Sequence, residues 1–254
     1  MVDRPIQVCI VGARGKMGME IGKAIKQDPN LTIMWEIDLE QAKGPIKSIT
    51  DIPWKRAKDT IDVVINFTNP TATLESAIWC AEHSVPLVTG TTGLIDVQKK
   101  EMQKLAGKVP MVLDSNMSQG VNLIDSVLPR FAEVLAGFAI EIVEIHHDQK
   151  KDYPSGTAIR FAQTLVKAKG GEIVYGRAKG KSDNRPINEV VVHAIRGGTV
   201  PGEHTIYFFG PDEVIEIKHQ ALSRRIFALG AIKAAKWIVN VKPGFYSMND
   251  VLGL

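Results

Sequence analysis

The stretch Ile6-Gln7-Val8-Cys9-Ile10-Val11-Gly12-Ala13-Arg14-Gly15-Lys16-Met17-Gly18 decides the fold. Its first six residues form a short apolar strand pattern, the glycine turn follows at once, and residues 19–27 carry helical spacing. Strand, glycine turn and helix in this order open a dinucleotide-binding α/β unit. Glycines permit the tight turn and let backbone amides approach a pyrophosphate, which then rests on the positive end of the helix. The spacing is GxxGxxG, so the middle glycine is displaced by one from the commoner form. A tight strand-to-helix turn without a ligand is the plain alternative.

The following segments repeat the theme. Residues 31–37 read as a second strand, and Asp38 follows about twenty residues after the turn, where a carboxylate can take the ribose hydroxyls of an adenosine. Leu39 comes next, so no adjacent Arg awaits a 2′-phosphate, which favours NADH over NADPH, although Arg14 and Lys16 still supply positive charge. Residues 62–67 form a buried-strand pattern ending in Phe67-Thr68-Asn69-Pro70, with helical spacing over 71–83. Strands over 85–88 and 110–113 end in Thr89-Gly90-Thr91-Thr92-Gly93 and Asp114-Ser115-Asn116-Met117-Ser118. In a parallel sheet such small polar strand ends line one edge, where ligands bind. The first half is therefore expected to be a Rossmann-type parallel sheet.

A helical pattern over 121–136 contains Pro129, which is expected to kink it or to mark a change of domain. The strand pattern 140–145 then runs into Glu144-Ile145-His146-His147-Asp148-Gln149-Lys150-Lys151-Asp152-Tyr153-Pro154-Ser155-Gly156-Thr157. Adjacent strand residues point to opposite sides, so only one of His146 and His147 can face a given reactant. Histidine suits proton delivery near neutrality. Lys150 and Lys151 add positive charge, and Ser155 or Thr157 caps a helix running to Lys169, whose open amides suit a carboxylate or phosphate. A solvated basic loop before an ordinary capped helix is the bland alternative. Zinc is not expected, because the paired histidines diverge and neither an HExxH helix nor a Cys pair accompanies them.

A polar loop over 176–186 carries Arg177, Lys179, Lys181 and Arg185, read as solvated charge. Strand patterns over 189–195, 204–209 and 213–219 are separated by short turns, which predicts antiparallel neighbours, with sheet edges suited to subunit pairing. His193, His204 and His219 on these strands are expected to be structural hydrogen-bonders. Residues 224–240 form a last helix rich in Ala and Gly, and the tail is expected to fold back on the first half.

Composition narrows the functional classes. The 254 residues suit one large domain or two ordinary ones, and 44% hydrophobic with 23% charged residues fits a soluble globular protein. A net charge of +3 is too small to argue for nucleic acid or an anionic membrane as a partner. Cys9 and Cys80 lie in apolar segments and read as core residues rather than a disulfide, which favours a reducing cytoplasm. No export segment and no membrane-length apolar run is apparent.

With these residues laid out, the whole chain resembles the dihydrodipicolinate reductase family. The resemblance is most specific at Glu144-Ile145-His146-His147 with Lys150, Asp152 and Pro154-Ser155-Gly156-Thr157. The glycine turn, Phe67-Thr68, Gly90-Thr91-Thr92-Gly93, Ser115-Asn116-Met117-Ser118 and Gly202-Glu203-His204-Thr205 follow in the family's order. It implies a dinucleotide-binding domain over 1–118 and 225–254, and a substrate-binding and oligomerisation domain over 119–224 with an open, largely antiparallel sheet. It implies hydride transfer from NADH or NADPH to a cyclic unsaturated dicarboxylate, giving tetrahydrodipicolinate for lysine and diaminopimelate synthesis. His146 would be the proton donor, with Lys150 as a second acid or charge stabiliser. His147, Lys150, Ser155, Gly156 and Thr157 would hold the substrate, with Arg224 a further cation. Gly12, Ala13, Arg14, Gly15, Lys16 and Met17 would grip the pyrophosphate and Asp38 the ribose. Phe67, Thr68, Gly90, Thr91, Thr92, Asp114, Ser115, Asn116 and Met117 would complete the cofactor groove. The family is typically a homotetramer built through the second sheet. Met117 stands where the family often has an aromatic residue, Asp38-Leu39 replaces an acidic-plus-basic pair seen in some members, and Tyr153 is bulkier than usual before the proline. Two other readings remain open from the residues alone: an amino-acid dehydrogenase of the two-domain Rossmann kind, and a sensor that binds NAD without turnover.

Overall fold

A computed structural model describes residues 4–38, 48–52, 61–177, 180 and 185–254. The chain forms two compact units, Met1–Gln119 with Arg224–Leu254, and Gly120–Ser223.

In the first unit β1 (Ile6–Val11), β2 (Leu31–Ile37), β3 (Val63–Asn66), β4 (Leu87–Thr89), β5 (Pro110–Leu113) and β11 (Gly244–Tyr246) make one sheet in the order β11-β5-β4-β3-β1-β2. Every pairing is parallel. Such a sheet is covered on both faces, which is why its strands are near-continuous apolar runs. Val8, Ile10 and Ile65 pack with α1 (Lys16–Ile25), α6 (Arg225–Ile238) and α7 (Met248–Leu252). Cys9, Val11, Val64 and Met111 pack with α2 (Pro70–His83) and α3 (Asp96–Leu105). Both cysteines are buried and unpaired. The tail does fold back, since β11 extends the sheet beyond β5.

The second unit begins with α4 (Gln119–Val134), which runs unbroken through Pro129. The expected change of unit therefore lies at the start of this helix and not at the proline. Pro129 is on the exposed side of the helix, where its ring does not disturb the packed face. The sheet contains β6 (Ala139–His146), β7 (Glu172–Tyr175), β8 (Glu189–Arg196), β9 (Gly202–Phe209) and β10 (Val214–Ala221) in the order β10-β9-β6-β8-β7. It is mixed. β9 is antiparallel to β6 and β10, whereas β8 is parallel to β6 and β7. The expectation that β8 and β9 are antiparallel neighbours is corrected, because β6 lies between them and the loop 197–201 strides across its end.

α4 and α5 (Gly156–Lys169) cover one face of this sheet through Leu128, Phe161 and Leu165, packed on Ile140, Ile142 and Phe208. On the other face Glu141 accepts from Arg177 and Arg185, each at 3.1 Å, and from His193 at 2.7 Å. Two of the four loop cations are thus part of the framework, while Lys179 and Lys181 lie outside the described residues.

Candidate active site

The chemistry divides between the two units. In the first, β1 delivers the chain to Gly12, whose φ of +84° is open to glycine at little cost, and a Cβ there would come within 2.6 Å of the Phe67 carbonyl oxygen. The Gly12 and Ala13 amides donate to the Ile37 carbonyl at 2.8 and 3.1 Å, the Arg14 amide to Asp38 at 2.9 Å, and the Gly15 amide to Gly12 at 3.1 Å. The expected pyrophosphate grip over residues 12–17 therefore narrows. Gly12 to Gly15 shape the turn through bonds of their own. The Lys16 and Met17 amides open α1, which has no side-chain cap, and so have no intrahelical carbonyl to meet. That end of the helix favours an anion.

Beside the turn is a cavity of about 250 Å³ lined by Gly12, Asp38, Ser48, Phe67, Thr68 and Glu75, among others. Its edge is stitched by Asn66, whose side-chain oxygen accepts from Thr68, Thr73 and Thr91 at 2.7, 3.1 and 3.3 Å. Three expected cofactor residues have side chains engaged within the fold. Thr91 is 5% exposed and its hydroxyl also serves Thr73, so it braces the turn. The Asp114 carboxylate accepts the Asn116 amide at 3.1 Å and the Met248 amide at 3.2 Å, tying β5 to α7. Met117 is 1% exposed in the sheet core, so its side chain cannot flank a nicotinamide. Thr92 and Ser115 are exposed, and Asn116 accepts the Ser118 amide at 2.9 Å.

In the second unit β6 alternates between half-buried and buried residues, which sets Glu144 and His146 on the helix-covered face with Ile140 and Ile142. Register places Arg196 of β8 beside His146 and His204 of β9 beside Glu144. Glu144 is fully buried. Its carboxylate accepts from His146 Nδ1 at 2.5 Å, from both terminal nitrogens of Arg196 at 2.8 and 2.7 Å, and from the Ser155 amide at 3.0 Å. Burial alone would raise this carboxyl, but the hydrogen bonds from His146, Arg196 and Ser155 outweigh it and hold the pKa down to about 2. An ionised carboxylate only accepts, so the hydrogen in the Glu144 bond belongs to Nδ1 and Nε2 is the nitrogen left to exchange a proton. Nε2 lies over Gly202, where a methyl group would come within 2.9 Å. The loop 197–201 pins this strand end, with the Gly197 amide donating to the His146 carbonyl at 3.0 Å and the His147 amide to Val200 at 2.8 Å.

Around His146 the other expected residues take distinct places. Lys150 donates to both Asp152 oxygens at 2.7 and 2.9 Å, which leaves one of its three hydrogens for a ligand. Gly156 and Thr157 open α5, and the space over Gly156 is empty to 4 Å. His147 is half-buried and follows the last residue of β6, so strand alternation does not set its side. Ser155 is engaged within the fold. It is 2% exposed, its amide serves Glu144, and its hydroxyl accepts the Ala158 amide at 3.2 Å and meets His204 Nε2 at 2.9 Å. Ser155, not Thr157, is the cap of α5. Burial pushes the His204 imidazole down to about 3, with the charges of His146, His219 and Lys150 adding against the pull of Glu144. It therefore stays neutral as a structural hydrogen-bonder. Arg224 stands at the start of α6 in the first unit. Sequence reading gave no role to Arg196 or to Glu144. An Arg ending a strand before Gly197-Gly198, and a carboxylate two residues before a His on the same strand face, were the available signals. Among the described residues no group of side chains suited to a metal ion is found.

Comparison with known proteins places this geometry. Residues 6–117 match the family model for dihydrodipicolinate reductase, N-terminus, and residues 120–252 that for dihydrodipicolinate reductase, C-terminus. The 4-hydroxy-tetrahydrodipicolinate reductase of Caldanaerobacter subterraneus subsp. tengcongensis is 40% identical over 249 residues, covering 97% of this chain and 98% of that protein. The enzyme of the same name from Nitratiruptor sp. is 40% identical over 255 residues, covering 98% of this chain and 100% of its own. The dipicolinate-bound dihydrodipicolinate reductase from Paenisporosarcina sp. TG-14 superposes with a TM-score of 0.75 at 25% identity, covering 96% of this chain and 97% of that one. A glycine turn on a parallel sheet, a histidine held by a buried carboxylate on a mixed sheet and relatives aligned from end to end lead to one conclusion: the chain belongs to the dihydrodipicolinate reductase family.

Proposed function

We propose that this protein reduces 4-hydroxy-tetrahydrodipicolinate to tetrahydrodipicolinate, with NADH or NADPH as the reductant, in lysine and diaminopimelate synthesis. The observation that carries the reading is His146, with its Nδ1 hydrogen held by a buried carboxylate and Nε2 left to deliver a proton. The glycine turn fits a dinucleotide, since Gly12 has the backbone conformation and the crowding that exclude a side chain, and the Lys16 and Met17 amides are open. When bound, the reduced nicotinamide supplies a hydride. The Lys16 and Met17 amides hold the pyrophosphate, Asp38 the adenosine ribose, and Phe67, Thr68, Gly90 and Thr92 line the remainder of the groove. The 4-hydroxyl leaves as water to give the conjugated ring, the hydride adds to that ring, and His146 Nε2 donates the proton that quenches the resulting negative charge. Lys150, His147, Gly156 and Thr157 hold the carboxylates of the dianion, for which several fixed donors are needed.

Asp38 favours NADH, because a carboxylate beside the ribose repels a 2′-phosphate. The test is steady-state oxidation of NADH and of NADPH, with the condensation product of pyruvate and aspartate semialdehyde formed in place as substrate. Robust turnover is expected, with kcat/KM higher for NADH. Asp38→Asn removes the repelling charge and should raise the NADPH/NADH ratio by about 10- to 100-fold, since like charges brought together cost several kcal/mol. An unmoved ratio would acquit Asp38, and absence of turnover in folded, cofactor-binding protein would sink the reductase reading.

A homotetramer assembled through the second sheet goes with this function. Its support is the sheet face turned away from α4 and α5, where Ile195, Phe209 and Val214 are 48%, 40% and 52% exposed and Tyr207 stacks on Phe209. Light scattering on purified protein should give four times the chain mass, and Phe209→Glu should reduce it. A wild-type monomer would contradict this assembly. Two buried free cysteines fit a reducing cytoplasm. No helix among the described residues is long and apolar enough to cross a membrane.

A further inference from the structure

We infer that Glu144 and Arg196 are the positioning residues of the proton donor. The carboxylate fixes the hydrogen on His146 Nδ1 and so presents Nε2 to the reactant, while the guanidinium locks the carboxylate and ties it to the segment that carries Lys150. The inference rests on the reading of His146 as the acid and adds the device that aims it.

The bland account is a framework ion pair. Arg196 alone could satisfy the carboxylate, because its two terminal nitrogens meet both oxygens. Three features exceed that need. The shortest bond that Glu144 receives comes from the imidazole, at 2.5 Å. The Ser155 amide reaches the same carboxylate, so the cap of α5 is held to the strand that bears the acid. Arg196 also donates to the Asp152 carbonyl at 2.7 Å, and the Asp152 carboxylate holds Lys150. A continuous chain of contacts thus runs from His146 through Glu144, Arg196 and Asp152 to Lys150. It joins the acid to the cation expected to grip the substrate.

The charged groups that face His146 come from each element around it. Glu144 lies on its own strand, Arg196 on β8, and Lys150 with Asp152 on the loop before α5. On β9 the His204 ring stands edge-on to His146 at 5.2 Å, with His219 opposite it on β10. His204 stays neutral, so Glu144 is the anion that hydrogen-bonds the imidazole.

Glu144→Gln tests this with almost no change of shape. Its amide oxygen best replaces the oxygen that accepts both an Arg196 nitrogen and the Ser155 amide, which turns the NH2 group toward His146. Nδ1 must then accept, and the hydrogen of the neutral ring moves to Nε2. We expect kcat to fall roughly 10²- to 10³-fold, as for the loss of a well-aimed general acid. KM for substrate and the NADH dissociation constant should move less than about threefold, because neither ligand's own contacts are removed. The pH profile of kcat should change shape, because the imidazole loses its anionic hydrogen-bond partner. A purely structural carboxylate would alter stability and leave the shape of the pH profile in place.

If the variant does not fold, ¹⁵N NMR of histidine-labelled wild-type protein decides the matter. The neutral His146 ring should carry its hydrogen on Nδ1 throughout a titration, with Nε2 the nitrogen that exchanges. A hydrogen on Nε2, or a folded Glu144→Gln enzyme with unchanged kcat and pH profile, overturns the inference. The NMR result does not depend on the reaction, so it separates a failure of this geometry from a failure of the proposed activity.

Discussion

Replacing His146 by Gln should lower kcat about 10²- to 10⁴-fold, the usual worth of a positioned general acid, while NADH affinity stays at the wild-type value. The two halves of this result have separate physical origins. Turnover falls because Gln has no titratable nitrogen to give up a proton, although it can still hydrogen-bond Glu144 through its amide. Cofactor affinity holds because the glycine turn and the cavity beside Asp38 belong to the first unit, whereas His146 belongs to the second. The pH profile supplies a further signature. If His146 delivers the proton, wild-type kcat declines as pH rises and the ring loses that proton. Glu144→Gln should shift this decline, and His146→Gln should abolish it. Stopped-flow and steady-state rates at saturating NADH, with fluorescence titration of the cofactor, provide the measurements. A folded His146→Gln protein that turns over within a fewfold of wild type would remove the residue from its role. A sensor that merely binds NAD would show that indifference, so the variant also separates the enzyme from the sensor.

Much of the first unit was legible because parallel strands buried on both faces are written as apolar runs, and each run ends in small polar residues at the ligand edge. The parts that escaped notice lack that signal. α3 is largely polar, with Met102 its buried side chain, so no apolar stripe marks it. β7 and β11 have four and three residues, too few to show a period. The order of the second sheet was hidden for a different reason. The loop 197–201 is short enough for a hairpin, and nothing in its length reveals that it crosses the end of β6 before joining β9. At the site, the reactive types His146 and Lys150 were visible, but their supports were not. Arg196 meets Glu144 across 52 residues of sequence, through a register that only the folded sheet creates. Ser155, Thr91 and Asp114 have side chains suited to ligands, and whether those side chains face a ligand or brace the backbone depends on burial that spacing alone does not encode.

Two glycines on one helix give the last expected result, because they should respond to the same substitution with opposite signs. Gly18→Ala and Gly22→Ala both replace a buried glycine of α1, and both gain about 1 kcal/mol of helix propensity. The difference between them is therefore almost wholly a matter of space. At Gly22 a Cβ would meet Glu36 Oε1 at 3.7 Å and the Ile10 and Ile33 methyls at 3.9 Å, which is ordinary contact. This variant should melt a few degrees above wild type, about 2–4 °C for a gain of 1 kcal/mol in a chain of this size. At Gly18 a Cβ would lie 2.0 Å from the Gly12 carbonyl oxygen and 2.7 Å from Ala13 backbone atoms. Backbone cannot swing aside as a flexible side chain can, so the turn must lift off the start of the helix. Moving Gly12 and Ala13 weakens their bonds to the Ile37 carbonyl and drags the Arg14 amide from Asp38. Overpacking of this kind costs about 1–3 kcal/mol or more. The displaced atoms also shape the dinucleotide turn, so the same strain should appear in binding. At 1.4 kcal/mol per factor of ten, NADH affinity should fall roughly 10- to 100-fold. Thermal melts with and without NADH, and fluorescence titration of the cofactor, measure both effects. Equal melting temperatures and equal NADH affinities for the two variants would mean that the close approach of α1 to the glycine turn does not govern cofactor binding.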